Sequence, residues 1–333
     1  MKRAGVCEGM ERNILEVRDL CTAVGTRRRS LPVLRQVSLA VPEGKTVGLA
    51  GESGCGKSMT ARAVMGLLRR DARMTGGEIL FRGRDITRLS EGERRRLRGS
   101  EMSMIFQEPM TSLNPVIRVG AQVAEVLRIH QDVTRSQARR KTLEMLEAVG
   151  IPEAERRYDS YPHQLSGGQR QRVMIAMAMI CRPTLLIADE PTTALDVTVE
   201  AQILSLMEQL SAGGTSILVI SHNMGVIARI CDEVYIMYAG EIVEHGCTRD
   251  LFENPLHPYT RGLMRAVLSL HRGQEPLEVI PGRVPGLGER HGGCLFAPRC
   301  PLSEDACRTW QGEMREENGR GARCRRAWPE ENV

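Results

Sequence analysis

The sequence predicts an α/β protein with a mixed sheet, an inserted helical subdomain and a small cysteine-rich C-terminal extension. Three observations carry this. Short apolar strands separated by Gly and Pro fill the first third of the chain. A strand–helix–strand run near the middle requires a parallel sheet. Beyond Asn254 the texture changes to Pro, Gly, His, Arg and Cys.

In chain order, strands are predicted at Ile14 to Val17, Val33 to Val41, Thr46 to Ala50 and Glu78 to Arg82. From about Glu91 to Ile180 the pattern is mostly helical. Leu143, Leu146 and Val149 recur three apart on one face until Gly150 and Pro152 stop the run. An apolar strand follows at Leu185 to Ala188, then a helix with Ile203, Met207 and Leu210 on one side, then a buried strand at Ile217 to Ile220. Tyr235 to Met237 and Glu241 to Val243, joined around Ala239 and Gly240, read as an edge hairpin. The chain thus divides into a domain over 1–255, with the helical subdomain at about 100–182, and an extension over 256–333.

The 333 residues, 41% hydrophobic, suffice for one large core and a smaller second unit. The longest apolar run, Val173 to Cys181 between Arg172 and Arg182, falls short of the roughly 18 to 20 residues that a bilayer span needs. No membrane crossing and no secretion signal are expected, and Met10 before Glu11, Arg12 and Asn13 is a second candidate start. The net charge of +5 is modest. The basic runs at Arg27 to Arg29, Arg94 to Arg98 and Arg139 to Lys141 are short and mixed with acids, so they read as solvated faces rather than nucleic-acid contacts.

Gly51-Glu52-Ser53-Gly54-Cys55-Gly56-Lys57-Ser58 matches GxxxxGK[ST] and lies between the strand ending at Ala50 and the helical run Met59 to Leu68. Glycines at these positions let the backbone turn so that its N–H groups and the helix N-terminus face phosphate oxygens. Lys57 then bridges β- and γ-phosphates and Ser58 binds Mg²⁺. Alone, the loop specifies only a nucleotide phosphate, because GTPases, kinases and many ATPases share it.

Asp189 and Glu190 stand at the C-terminal end of the strand Leu185 to Ala188, where open α/β sheets bind their ligands. Two adjacent carboxylates divide the work: Asp189 holds Mg²⁺ through water, and Glu190 orients and deprotonates the attacking water. Leu165-Ser166-Gly167-Gly168-Gln169 precedes an apolar helix, so Ser166 caps it while the first N–H groups point at an anion. One nucleotide uses both phosphate sites only if two chains face each other, each closing its Ser166–Gln169 segment over the other's phosphate loop.

Together these motifs resemble the ABC ATPases, over residues of about 14–250. The resemblance implies an ABC-type P-loop ATPase core, with a RecA-like part and an antiparallel β part. It implies a nucleotide-binding set of Gly51 to Met59, Gln107, Ser166 to Gln169, Asp189 and Asp196. Gln107 resembles the Q-loop glutamine that contacts Mg²⁺ and water and relays to the membrane subunits. Thr193-Ala194-Leu195-Asp196 resembles the D-loop, and His222 the switch histidine at the γ-phosphate. Finer strings, Glu108 to Pro115, Tyr161 to Gln169, Ala188 to Val199 and His257 to Gly262, resemble the oligopeptide, dipeptide and nickel importer ATPases, most of all the D-type subunits. That implies ATP-driven import of peptides, or of nickel or another metal complex. The implied partners are an F-type ATPase, two permeases and an extracytoplasmic solute-binding protein, with the chain peripheral on the cytoplasmic face of the inner membrane. Two other readings are weighed against it. A soluble ABC ATPase acting on nucleic acid commonly carries tandem cores or coiled-coil insertions, which this sequence lacks. A module that has lost catalysis is disfavoured by the intact Lys57, Ser58, Gln107, Asp189, Glu190 and His222.

Two positions depart from the family. No aromatic residue precedes Phe81, and Val24 stands near the usual adenine-stacking position. The base is expected to be held by apolar contact or by Arg27 or Arg28, with weak discrimination between ATP and GTP. Asn223 follows His222 where Asp is common, with little expected effect.

Of ten cysteines, Cys7, Cys21, Cys55, Cys181, Cys231 and Cys247 are scattered, whereas Cys294, Cys300, Cys307 and Cys324 crowd the last forty residues. Their spacing contains no CxxC. Free structural thiols, an iron–sulfur cluster and zinc all remain open on the residues alone. The resemblance, through Cys294-Leu295-Phe296-Ala297-Pro298-Arg299-Cys300-Pro301, points to a [4Fe–4S] cluster, with zinc the alternative.

Overall fold

A computed structural model of the chain describes residues 12–26, 29–107, 113–193, 195–272, 280–289, 292–310 and 312–328, except for the side chains of 267–272. The first elements are β1 (Asn13–Thr26), β2 (Arg29–Pro42), β3 (Thr46–Ala50), α1 (Lys57–Val64), β4 (Ala72–Phe81), β5 (Arg84–Asp85), α2 (Glu91–Leu97) and β6 (Met102–Ile105). Helices α3 (Val119–His130), α4 (Arg135–Ala148), α5 (Ala154–Tyr158) and α6 (Gly167–Met179) follow. Next come β7 (Leu185–Asp189), α7 (Val197–Ala212), β8 (Ser216–Ser221), α8 (Met224–Ile230), β9 (Glu233–Tyr238) and β10 (Glu241–Cys247). The C-terminal part holds α9 (Thr248–Glu253), α10 (Pro258–Arg272), β11 (Arg315–Glu317) and β12 (Arg320–Ala322). Contacts divide the chain into two units, one of 1–43, 47–83 and 222–333, the other of 44–46 and 84–221.

In the first unit β1 pairs antiparallel with β2 on one side and β4 on the other. Both outer-third strands run much longer than the predicted Ile14 to Val17 and Val33 to Val41. Asp19 and Gln36, at φ 47°, interrupt the alternation that marks a strand in sequence, yet the ladders resume beyond them through bulges. Leu15, Val17, Leu20, Val37, Leu39 and Val41 form the buried face. The predicted hairpin is β9–β10, turning at Ala239 (φ 48°) and Gly240 (φ 89°), the paired positive φ values that match strand twist. β9 lies parallel to β3. The extension expected over 256–333 does not stand alone: β12 adds to β10 and β11 to β12. Ala322 and Ala327 pack on Leu256, with Cys324 and Trp328 against them, a small cluster made of the extension's own residues.

In the second unit β6, β7 and β8 form a parallel sheet of fully buried strands. β6 falls inside the stretch predicted as mostly helical, because four buried residues, three of them apolar, are too few to carry a distinguishing period. The helices proper begin at α3. Leu146 on α4 and Val149 at its C-cap are buried; Thr134 opens this helix through a capping box with Gln137, and Gly150 (φ 76°) closes it.

Candidate active site

The first unit presents the phosphate loop between β3 and α1. Its turn needs glycine at two places. Gly51 has φ 152° and a Cβ there would sit 2.1 Å from the Met237 carbonyl oxygen; Gly56 has φ 119° and a Cβ would meet Leu34 at 2.7 Å. The helix begins at Lys57, two residues earlier than predicted, with Gly56 as its N-cap. Lys57 is buried, and its Nζ donates to the carbonyls of Gly51 at 2.6 Å and Glu52 at 3.1 Å, which holds the ammonium over the loop. Cys55 is fully buried, and burial raises its thiol pKa. Ser53 and Gly54 are exposed at the crest, and Ser58 and Met59 are half-buried in the first turn of α1. His222 is exposed directly after β8. Asn223 caps α8 by accepting the Gly225 N–H at 2.9 Å, the service an aspartate would also perform.

The second unit holds the carboxylates. Asp189 ends β7 and is 1% exposed; Glu190 is 7% exposed. Glu190 has φ 52°, a left-handed conformation unfavourable for a residue with a Cβ. It is held there by its N–H donating to the Ile220 carbonyl at 2.9 Å and by the Thr193 hydroxyl donating to Glu190 Oε2 at 3.2 Å. Sequence reasoning found the residue but not this strained turn, which has no signal in residue type. Gln171 of α6 was also missed: its Nε2 donates to the Pro191 carbonyl at 2.7 Å, tying the helix to the turn after Glu190.

Ser166 caps α6 as predicted, accepting the Gln169 N–H at 3.3 Å, while Gln169 Oε1 accepts the Ser166 N–H at 3.1 Å. Ser166 and Gly167 are exposed, Gly168 is half-buried, and a Cβ on Gly167 would meet nothing within 4 Å, so open space adjoins the helix's first turn. Asp196 is the N-cap of α7, accepting from Val199 N–H at 2.9 Å. Gln107 is exposed two residues after β6. Val24 is half-buried near the end of β1. Arg27, Arg28, Ala194 and Glu108 to Ser112 lie outside the described residues.

The tail brings Cys294, Cys300, Cys307 and Cys324 to the wall of one cavity with Phe296, Leu302 and Trp310. Burial raises the thiol pKa of Cys294, to about 11, and those of Cys300 and Cys324. Among the described residues, no group of three or more His, Cys, Asp or Glu is arranged to hold a metal ion. His257 adjoins the same cavity, and its Nδ1 accepts the Tyr259 N–H at 3.0 Å. Burial, then the nearby Arg261 charge, lowers its pKa from 6.5 to about 3. Between those values the unfolded chain binds a proton that the folded chain does not. This contribution to stability is therefore complete above pH 6.5 and falls away as pH drops, by at most about 1.4 kcal/mol per pH unit. Replacing His257 by Gln is expected to flatten the pH dependence of unfolding in denaturant titrations between pH 3 and 6.5; an unchanged slope would refute the assignment.

The model of the ABC transporter family matches residues 34–193, and that of the oligopeptide/dipeptide transporter C-terminal region matches 243–307. A peptide import ATP-binding protein of Brucella ovis is 47% identical over 95% of this chain and 98% of its own length. The oligopeptide transport ATP-binding protein OppD of Salmonella typhimurium is 49% identical, covering 88% of each. Among solved structures, a dimeric ATP-binding cassette in a post-hydrolysis state bound to ADP and Pi aligns with TM-score 0.65 at 26% identity, over 71% of this chain and 99% of that one.

Proposed function

Because the chain belongs to the ABC transporter family, among the ATP-binding proteins that carry the oligopeptide/dipeptide C-terminal region, we propose that it is the ATP-hydrolysing subunit powering peptide import. The observation that carries the reading is the coexistence in one chain of the Lys57 loop, the Asp189–Glu190 pair after a parallel strand and the open, Ser166-capped helix. ATP draws two such cassettes together, each Ser166–Gln169 segment closing over the other's loop. Hydrolysis separates them, and only a difference in affinity between the ATP and ADP states can drive that cycle. The dimeric solved cassette fits this reading.

Each residue has a part in it. The backbone N–H groups of Gly51 to Gly56 and the Lys57 ammonium bind the phosphates, Ser58, Asp189 and Gln107 would hold Mg²⁺, Glu190 takes the proton of the attacking water, and His222 orients the γ-phosphate. Mg²⁺ supplies charge neutralisation on the phosphates. The partners are an F-type ATPase, two permeases and an extracytoplasmic binding protein; the chain sits peripherally on the permeases at the cytoplasmic face. Among the described residues no helix is long and apolar enough to cross a membrane. Turnover of ATP by the chain reconstituted with its permeases, stimulated by a peptide-loaded binding protein, tests the function. Stimulation by nickel complexes alone would replace peptide with metal as cargo, and copurification with nucleic acid instead of permeases would overturn the reading. Competition by GTP at concentrations similar to ATP is the outcome expected from Val24.

For the tail, the reading extends to a [4Fe–4S] cluster held by Cys294, Cys300, Cys307 and Cys324, supported by their shared cavity. Binding would displace thiol protons that burial holds in place, and a cluster there would tie down a tail whose own core is small. Anaerobically purified protein is expected to absorb near 400 nm, as iron–sulfur sites do, with matching iron and sulfide; colourless protein with stoichiometric zinc would refute it.

A further inference from the structure

The phosphate loop carries a carboxylate that its chemistry does not call for. Glu52, second residue of an anion-binding loop, places a negative charge beside the site of a triphosphate. The first unit answers it from 247 residues away in sequence: Arg299 Nη1 donates to Glu52 Oε2 at 2.8 Å and Nη2 to Oε1 at 3.1 Å, a forked pair with the Arg299 side chain 7% exposed. Arg299 is itself fixed, its Nε donating to the Pro281 carbonyl at 2.8 Å and its guanidinium lying over the Tyr238 ring at 5.8 Å. The loop backbone is gripped too. The Glu52 N–H donates to the hydroxyl of the fully buried Tyr259 at 2.9 Å. Tyr238, Tyr259 and Phe296 pack as an aromatic cluster with centroids 4.7 to 5.4 Å apart, and Phe296 and Arg299 both lie between Cys294 and Cys300.

We propose that Arg299 is a positioning residue for nucleotide binding: the C-terminal extension, through Arg299, neutralises Glu52 and holds the entrance of the phosphate loop in its anion-accepting form. The inference rests on the loop being the ATP site. Without Arg299, the bare Glu52 carboxylate repels the nucleotide, and it repels the triphosphate more than the diphosphate because the charge is larger.

The test measures ATP and ADP affinity of the full chain by isothermal titration for wild type, Arg299→Gln, Glu52→Gln and the double variant. Arg299→Gln is expected to weaken ATP about tenfold, with a smaller loss for ADP, and Glu52→Gln, which removes the repelling charge and leaves that of Arg299, to bind ATP at least as tightly as wild type. The double variant should regain most of the lost affinity, because the repelling charge has gone. Arg299→Lys, which keeps the charge but not the fork, should lie between wild type and Arg299→Gln and serves if Arg299→Gln does not fold. Equal ATP affinity in Arg299→Gln and wild type, equal losses for ATP and ADP, or a double variant as weak as Arg299→Gln would each overturn the proposal and leave at most a structural ion pair. A wild-type chain that binds no ATP would instead overturn the function on which it rests.

Discussion

Glu190→Gln is expected to bind ATP with little change and to lose on the order of 10² to 10⁴ in turnover, the contribution of a positioned general base. Gln keeps the size of the side chain and an oxygen to accept the Thr193 hydroxyl, so the left-handed turn at Glu190 survives and only the proton acceptor is removed. Without hydrolysis, the state in which nucleotide joins two chains should persist. Sedimentation in ATP is then expected to show a stable dimer of the variant where wild type cycles back to monomer. Phosphate release at wild-type rate would remove Glu190 from the role of base.

Lys57→Ala acts at the earlier step. The buried ammonium is already poised on the Gly51 and Glu52 carbonyls, so binding exchanges these neutral acceptors for phosphate oxygens, and charge-assisted bonds are the stronger kind. Losing them is expected to weaken ATP by on the order of 10²-fold, consistent with charged hydrogen bonds of about 1.5 to 3 kcal/mol each. Titration with nucleotide separates the two variants: Glu190→Gln binds as wild type does without turning over, whereas Lys57→Ala binds far more weakly. A Lys57→Ala chain with wild-type affinity would mean that the loop backbone alone holds the phosphates.

Much of the candidate site was legible because its parts are local. The phosphate loop is eight consecutive residues whose glycines dictate the turn, and the Ser166 cap and Gln169 lie within one helical turn. Elements were less legible where pairing overrides pattern. β6 is too short to show a period, and β1 continues through the left-handed Asp19 because strands on both sides hold it. Asp196 and Asn223 illustrate another limit. Read as motif positions, both also serve as helix N-caps, a role that depends on where a helix starts.

The sequence by itself determined the phosphate chemistry, since each motif's residues reach their partners within a few positions and need no distant contact to take shape. Tertiary structure alone decided the strained seat of Glu190, the cavity that gathers four cysteines spread over thirty residues, and the pairing of Glu52 with Arg299. The physical reason is sequence separation. A local turn is fixed by backbone preference and nearby hydrogen bonds, whereas contacts between residues hundreds of positions apart exist only once strands and helices have packed, and no residue type announces them beforehand.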